Sequence, residues 1–146
     1  MKIAIGCDPN AEQEKEDLIA YIKEKKYGEV EDFGSEDPIY AHTAITLAEA
    51  VAAKKFDCGI LLCGTGIGVS IAANKVKGAY AALVSDVYSA QRAKLSNDAN
   101  IMCIGAFTTG KKVREQMVDE FLENEFAPGC PSQPKVDAFM QYDEGR

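Results

Sequence analysis

The 146-residue chain is poor in several things, and each shortage excludes something. It has one histidine, His42, and no tryptophan. A lone imidazole rules out a zinc site built on histidines and narrows the choice of acid/base groups. Cations are scarce: 16 Lys+Arg stand against 23 Asp+Glu, for a net charge of −7. That balance excludes a general nucleic-acid binder, which needs a basic face. No apolar run approaches the roughly 20 residues of a membrane span. The N-terminal apolar stretch is too short for a signal peptide and runs straight into polar sequence. No CxxC occurs among the five cysteines Cys7, Cys58, Cys63, Cys103 and Cys130, and their number is odd. The expectation is a cytoplasmic protein with reduced thiols, most of them filling a core, that binds neither membrane nor nucleic acid.

What is present is the composition of a folded domain, with 47% apolar and 27% charged residues. The length suits one domain, large enough to bury roughly two-thirds of its unfolded surface. Short apolar runs alternate with longer amphipathic ones. Lys2–Cys7 reads as a buried strand, 28–33 as a more polar strand near an edge, and Cys58–Cys63 as a strand covered on both faces. Ala79–Val84 and Ile101–Ile104 supply two more strands. Helices are expected over 11–26, around Ala44, Leu47, Ala48 and Val51 (one helical face), over 69–75, 87–95 and 111–124. Consecutive βα units predict an α/β fold: a Rossmann-like, doubly wound parallel sheet of five strands in the order 2-1-3-4-5, followed by a C-terminal helix extension. Residues 1–126 form the domain, and 127–146 form the extension.

In such sheets ligands bind beyond the carboxyl ends of the strands at the switch point. Asp8 follows the first strand and Cys63 ends the third, so both fall there. Cys63-Gly-Thr-Gly-Ile-Gly68 is the most informative stretch. Its alternate glycines bring backbone N–H groups close to a ligand, and such a nest favours an anion or a forming oxyanion. A ligand-free strand-to-helix turn would use the same glycines. A phosphate-binding P-loop would need Lys-Ser or Lys-Thr where Val69-Ser70 stands, and the dinucleotide fingerprint has a different glycine spacing and follows the first strand. A thiolate at Cys63 would serve as base or nucleophile. Asp8 suits turn chemistry or hydrogen bonds from sugar hydroxyls. Ser96-Asn97-Asp98-Ala99-Asn100 is either a polar loop or a hydrogen-bonding arc facing the same crevice.

The runs Lys2-Ile-Ala-Ile-Gly-Cys-Asp8, Asp32-Phe-Gly34, Cys63 to Gly78, Asp86-Val-Tyr-Ser-Ala90, Asn97-Asp-Ala-Asn100 and Ile104-Gly-Ala106, in that order, resemble the type B ribose-5-phosphate isomerases and the galactose-6-phosphate isomerase subunits. The resemblance implies a cofactor-free, metal-free aldose–ketose isomerisation of a small sugar through a cis-enediolate, in a homodimer or tetramer. It implies that Cys63 is the base moving a proton between C1 and C2, and that Gly64, Gly66, Ile67 and Gly68 form the anion hole. Thr65 matches a residue linked to ring opening, Asp8 a hydroxyl ligand, and Asn97 a substrate contact.

The departures are specific. Pro9 and Ser96 stand where the family has histidines, the second of which assists ring opening. Phe107 stands where it has arginine. The C-terminal arginines that reach a partner subunit's phosphate are absent from Gly129-Cys-Pro-Ser-Gln-Pro-Lys135, where Lys135 alone supplies a cation. A phosphate dianion wants charge-assisted contacts. The expectation is therefore an atypical substrate, or a phosphate held elsewhere, for instance by Arg92 or Lys94. Two rival readings stand beside the isomerase: a subunit dependent on a related partner in a hetero-oligomer, and a flavodoxin-like cofactor binder supported by fold alone.

Overall fold

A computed structural model describes residues 1–146. Its elements are β1 (Lys2–Cys7), α1 (Glu12–Glu24), β2 (Glu29–Asp32), α2 (Tyr40–Ala52), β3 (Cys58–Cys63), α3 (Ile67–Ala73), β4 (Ala81–Leu83), α4 (Val87–Leu95), β5 (Ile101–Gly105), α5 (Lys111–Glu123) and α6 (Gln133–Glu144). The five strands form one parallel sheet, as expected for an α/β doubly wound fold. No helix is long and apolar enough to cross a membrane.

Alternate residues of the central strands feed two cores. Ile3, Ile5, Ile60, Leu62, Met102 and Ile104 pack with α1, α4 and α5 on one face. Ala4, Leu61, Cys63, Ile101 and Cys103 pack with α2 and α3 on the other. That double coverage explains why β3 and β5 read as unbroken apolar runs. Gly59 lets α2 close on the sheet, since a Cβ there would lie 2.5 Å from Leu47 Cδ2.

The strand order corrects the expected 2-1-3-4-5: it is β2-β1-β3-β5-β4. Crossover handedness explains the swap. The steps β1 to β2 and β4 to β5 run one way across the sheet, with α1 and α4 on one face. The steps β2 to β3 and β3 to β4 run the other way, with α2 and α3 on the opposite face. All the crossovers then share one hand, as the right-handed rule requires. The exchange also places the fully buried β5 inside and the three-residue, partly exposed β4 at the edge.

At that edge Asn74 acts as a strand substitute. Its Nδ2 donates to the Ala81 carbonyl and its Oδ1 accepts the Ala81 N–H, both at 2.8 Å. The expected C-terminal helix is α6, which docks on the segment leading into β4. Phe139 tilts against Tyr80 with ring centroids 5.6 Å apart. The buried Asp143 carboxylate accepts the Gly78 N–H at 2.7 Å and the Tyr80 hydroxyl at 3.0 Å.

Candidate active site

The switch point lies between β1 and β3, where the chain first reverses its direction across the sheet. Cys7 is level with Leu62, so Asp8 and Cys63 emerge side by side, one strand spacing of about 4.8 Å apart. On the other side Cys63 is level with Gly105. The Asp8 N–H donates to the Leu62 carbonyl, and the Ala106 N–H to the Cys63 carbonyl, which ties the three strand ends together.

Cys63 is 6% exposed, at the mouth of the α2/α3 core. Its Sγ accepts the Gly66 N–H at 3.1 Å. A backbone N–H aimed at sulfur is the kind of partner a charged acceptor holds well. Gly66 reaches this position through the left-handed region, with φ of 79°. A Cβ there would meet Leu83 Cδ1 at 2.6 Å and the Ile104 carbonyl carbon at 2.9 Å, so glycine is required on both counts. Thr65 is exposed, and its Oγ1 accepts the Ile67 N–H at 3.2 Å. Gly68 sits under the Tyr40 hydroxyl, where a Cβ would be 2.2 Å away. The sequence carried no signal for Tyr40 or Leu83 as walls of this loop, because both reach it from other elements.

Three other thiols are held neutral by burial. It pushes Cys7 up to about 12 and Cys58 to about 11, and raises Cys103 still further. Asp8 is half-buried, and its Oδ1 accepts the Asn10 N–H at 2.8 Å. The only imidazole, His42, sits in the first turn of α2 with Nδ1 3.0 Å from Asp37 Oδ2. The Ile39 N–H and His42 together hold the Asp37 carboxyl below its usual range.

Ser96 and Asn97 do not join this crevice within one chain, which corrects the reading of a shared arc. They follow α4 and precede β5, and Asn100 accepts the Gly59 N–H at the opposite end of β3. The length of β5 separates the two ends, about 13 Å. Loops that follow helices in a parallel sheet lie at the amino ends of the strands, so the chain order alone carried this signal. Lys135 is exposed on α6, which packs against residues 77–80.

Two relatives align over nearly their whole lengths. Ribose-5-P isomerase B of Listeria innocua is 45% identical, over 99% of this chain and 98% of that one. D-erythrulose-4-phosphate isomerase of Pectobacterium atrosepticum is 42% identical, over 98% and 95%. The solved structure of Trypanosoma cruzi type B ribose 5-phosphate isomerase superposes with a TM-score of 0.91 at 37% identity, over 99% and 97%. The family model described as Ribose/Galactose Isomerase matches residues 3–139, a span that includes the switch-point crevice, the glycine loop and most of α6. With the sheet, the loop and these matches in agreement, the chain belongs to the ribose/galactose isomerase family.

Proposed function

We propose that the protein is an aldose–ketose isomerase of a small sugar or sugar phosphate that works through a cis-enediolate. The observation that carries the reading is the Gly66 N–H on Cys63 Sγ at the sheet's switch point. In this reading the Cys63 thiolate takes the C2 proton of the open-chain aldose. The C2–H electron pair forms the C1–C2 double bond, and the carbonyl pair moves onto O1. Backbone N–H groups of 64–68 stabilise that oxygen, an electrostatic contribution of the oxyanion-hole kind. The thiol then returns its proton to C1, while the O2 proton passes to O1 and C2 becomes the carbonyl. Proton transfer of this kind balances without oxidant or reductant.

Asp8 keeps a second carboxylate oxygen to accept a sugar hydroxyl, since only Oδ1 is taken by the turn. Thr65 is assigned to ring opening from the rim of the loop. Ser96, Asn97 and Lys135 serve in this reading only from a second copy, with the 127–146 extension at the contact. Mixing Cys63→Ala with Asn97→Ala protein tests that arrangement: shared sites would restore about a quarter to a half of the activity, and no recovery would remove it.

The central test is deuterium exchange, at C2 of aldoses and at C1 of ketoses, across a panel of sugars and their phosphates, followed by NMR. Exchange with at least one sugar, abolished in Cys63→Ala, is the expected result. A Cys63→Ala protein that exchanges at the native rate removes the base assignment.

A further inference from the structure

On the far side of β1 from the Asp8–Cys63 crevice, a separate cavity of about 350 Å3 opens between the start of α1, the segment after β2 and the first turn of α2. Five carboxylates line it, from Glu12, Glu16, Asp32, Glu36 and Asp37, against one ammonium, Lys15. Neither Asp8 nor Cys63 is among its walls. Much of this charge is already committed. Asp32 holds the buried Lys15 Nζ at 2.9 Å and accepts the Gly34 N–H at 2.8 Å. Glu16 lies 3.8 Å from the same ammonium. Asp37 accepts the Ile39 N–H and faces His42. What remains is one oxygen of Glu12, whose other oxygen accepts the Ser35 hydroxyl at 3.1 Å, and the whole carboxylate of Glu36.

An acidic rim alone has ordinary explanations. Glu12 suits the positive end of the α1 dipole, and Asp37 caps the turn into α2. Thr43 has no such account. It is only 9% exposed and its hydroxyl bonds to nothing within the chain. Its methyl faces the sheet, since a Cβ on Gly6 would lie 2.8 Å from Cγ2. No side-chain polar atom sealed inside this protein lacks a partner, so the Thr43 oxygen opens on the cavity that the residue lines. The walls do not form a chelating set: no three acidic, histidine or cysteine side chains converge to hold a metal ion. Acceptors spread around an aromatic ring, Phe33, suit a larger cation that carries several N–H donors and some carbon.

We propose that this cavity binds the primary ammonium group of a small aliphatic amine, with Glu12, Glu36 and the Thr43 hydroxyl as its three acceptors and Phe33 against the carbon chain. An ammonium carries three donors and no acceptor, which matches the three groups left over. Two of the bonds are charge-assisted on both sides, the stronger kind. Lys15 does not fill this role, because Asp32 and Glu16 already hold it. The lining keeps a large excess of negative charge after Lys15 is counted, so a second ammonium on the same ligand adds attraction, and diamines bind tighter than monoamines.

The test is calorimetric binding of 1,4-diaminobutane, butylamine, 1-butanol and Mg2+ to the intact protein, each at 20 and 200 mM salt. The diamine is expected to bind once per chain, tighter than butylamine and more weakly at the higher salt, and butanol not at all. The double variant Glu12→Gln, Glu36→Gln should raise the diamine Kd at least ten-fold. Both positions are exposed, so the melting temperature should hold. Thr43→Val should raise the Kd about five-fold, and Thr43→Ser should bind as the native protein does. Glu24→Gln, at the far end of α1 and outside the cavity, should change nothing. Should Thr43→Val melt early, Thr43→Ser and the carboxylate double variant decide. No saturable amine binding, or an unchanged Kd in the double variant, overturns the proposal. So does an equal weakening by Glu24→Gln, which marks diffuse charge, and so does Mg2+ binding in place of the amines, which marks a metal site. No sugar takes part, so this result and the exchange result on Cys63 stand or fall separately.

Discussion

The Phe107 ring lies against Gly64: a Cβ added to that glycine would meet Cδ2 and Cε2 of the ring at 3.0 Å. The loop that leaves Cys63 therefore runs beneath an aromatic side chain that is itself 71% exposed. The family places an arginine at this position. Phe107→Arg should tighten recognition of a phosphorylated sugar, lowering KM about ten-fold, the size of one charge-assisted hydrogen bond. The melting temperature should stay constant, since the ring is mostly in water. Steady-state kinetics on matched phosphorylated and neutral sugars check it. An equal change for both would show that the ring acts by shape and that charge is irrelevant.

Gly66→Ala should cost about 2 kcal/mol of stability, from the left-handed backbone and the approach to the Ile104 carbonyl carbon. Activity should fall further than stability, because a displaced loop removes the N–H from Cys63 Sγ. Leu83→Ala in the same protein relieves the contact with Leu83 Cδ1 and leaves the backbone problem. The double variant should therefore stay impaired in urea denaturation and in turnover.

Lys15 is buried with its Nζ 2.9 Å from Asp32 Oδ2, while Asp32 keeps 39% of its side chain exposed. The two halves of the pair are therefore unequal. Asp32→Asn leaves the buried ammonium with only Glu16, 3.8 Å away and half in water, and should cost about 3 kcal/mol. Lys15→Met leaves a carboxylate that water can solvate and should cost only about 1 kcal/mol. Chemical denaturation of the two variants checks the ranking, and equal losses would contradict it.

Alkaline pH should loosen the fold. Burial raises Cys7 from 9.0 to about 12 and Cys58 from 9.0 to about 11; burial and the Asp119 carboxylate raise Tyr21 from 10.0 to about 12. A raised value means the unfolded chain ionises first. The contribution is whole below pH 9 and is lost as pH climbs through about 11 to 12. Melting temperature measured from pH 8 to 11.5 should fall with a steepening slope, and Cys58→Ala should flatten it. A flat profile in the native protein would refute the assignment.

The cores, the C-terminal helix and the pairing of Asp8 with Cys63 were legible in the sequence, because each depends on local pattern and on adjacent strands. The exchange of β4 and β5 was less so. It depends on which face α4 covers, which Ala90 and Ala93 settle by packing on the α1/α5 side, a long-range fact. Its local trace was the weak burial of Ala81–Leu83. Around the candidate site, the thiol and the glycines were visible, since they are contiguous. The ring over Gly64, the phenol over Gly68 and the Arg92 guanidinium on Ser96 were not, because each is a meeting of side chains whose direction only the fold sets.

The Asn74 amide has a consequence for how copies of this chain can join. The outward N–H and C=O of Ala81 are what a stray extended segment would use to prolong the sheet, and both are already occupied by one side chain. Growth of a continuous intermolecular sheet at this residue would first have to evict that amide. Extension of the sheet from this edge is thereby blocked at Ala81 without any charge or proline in β4 itself.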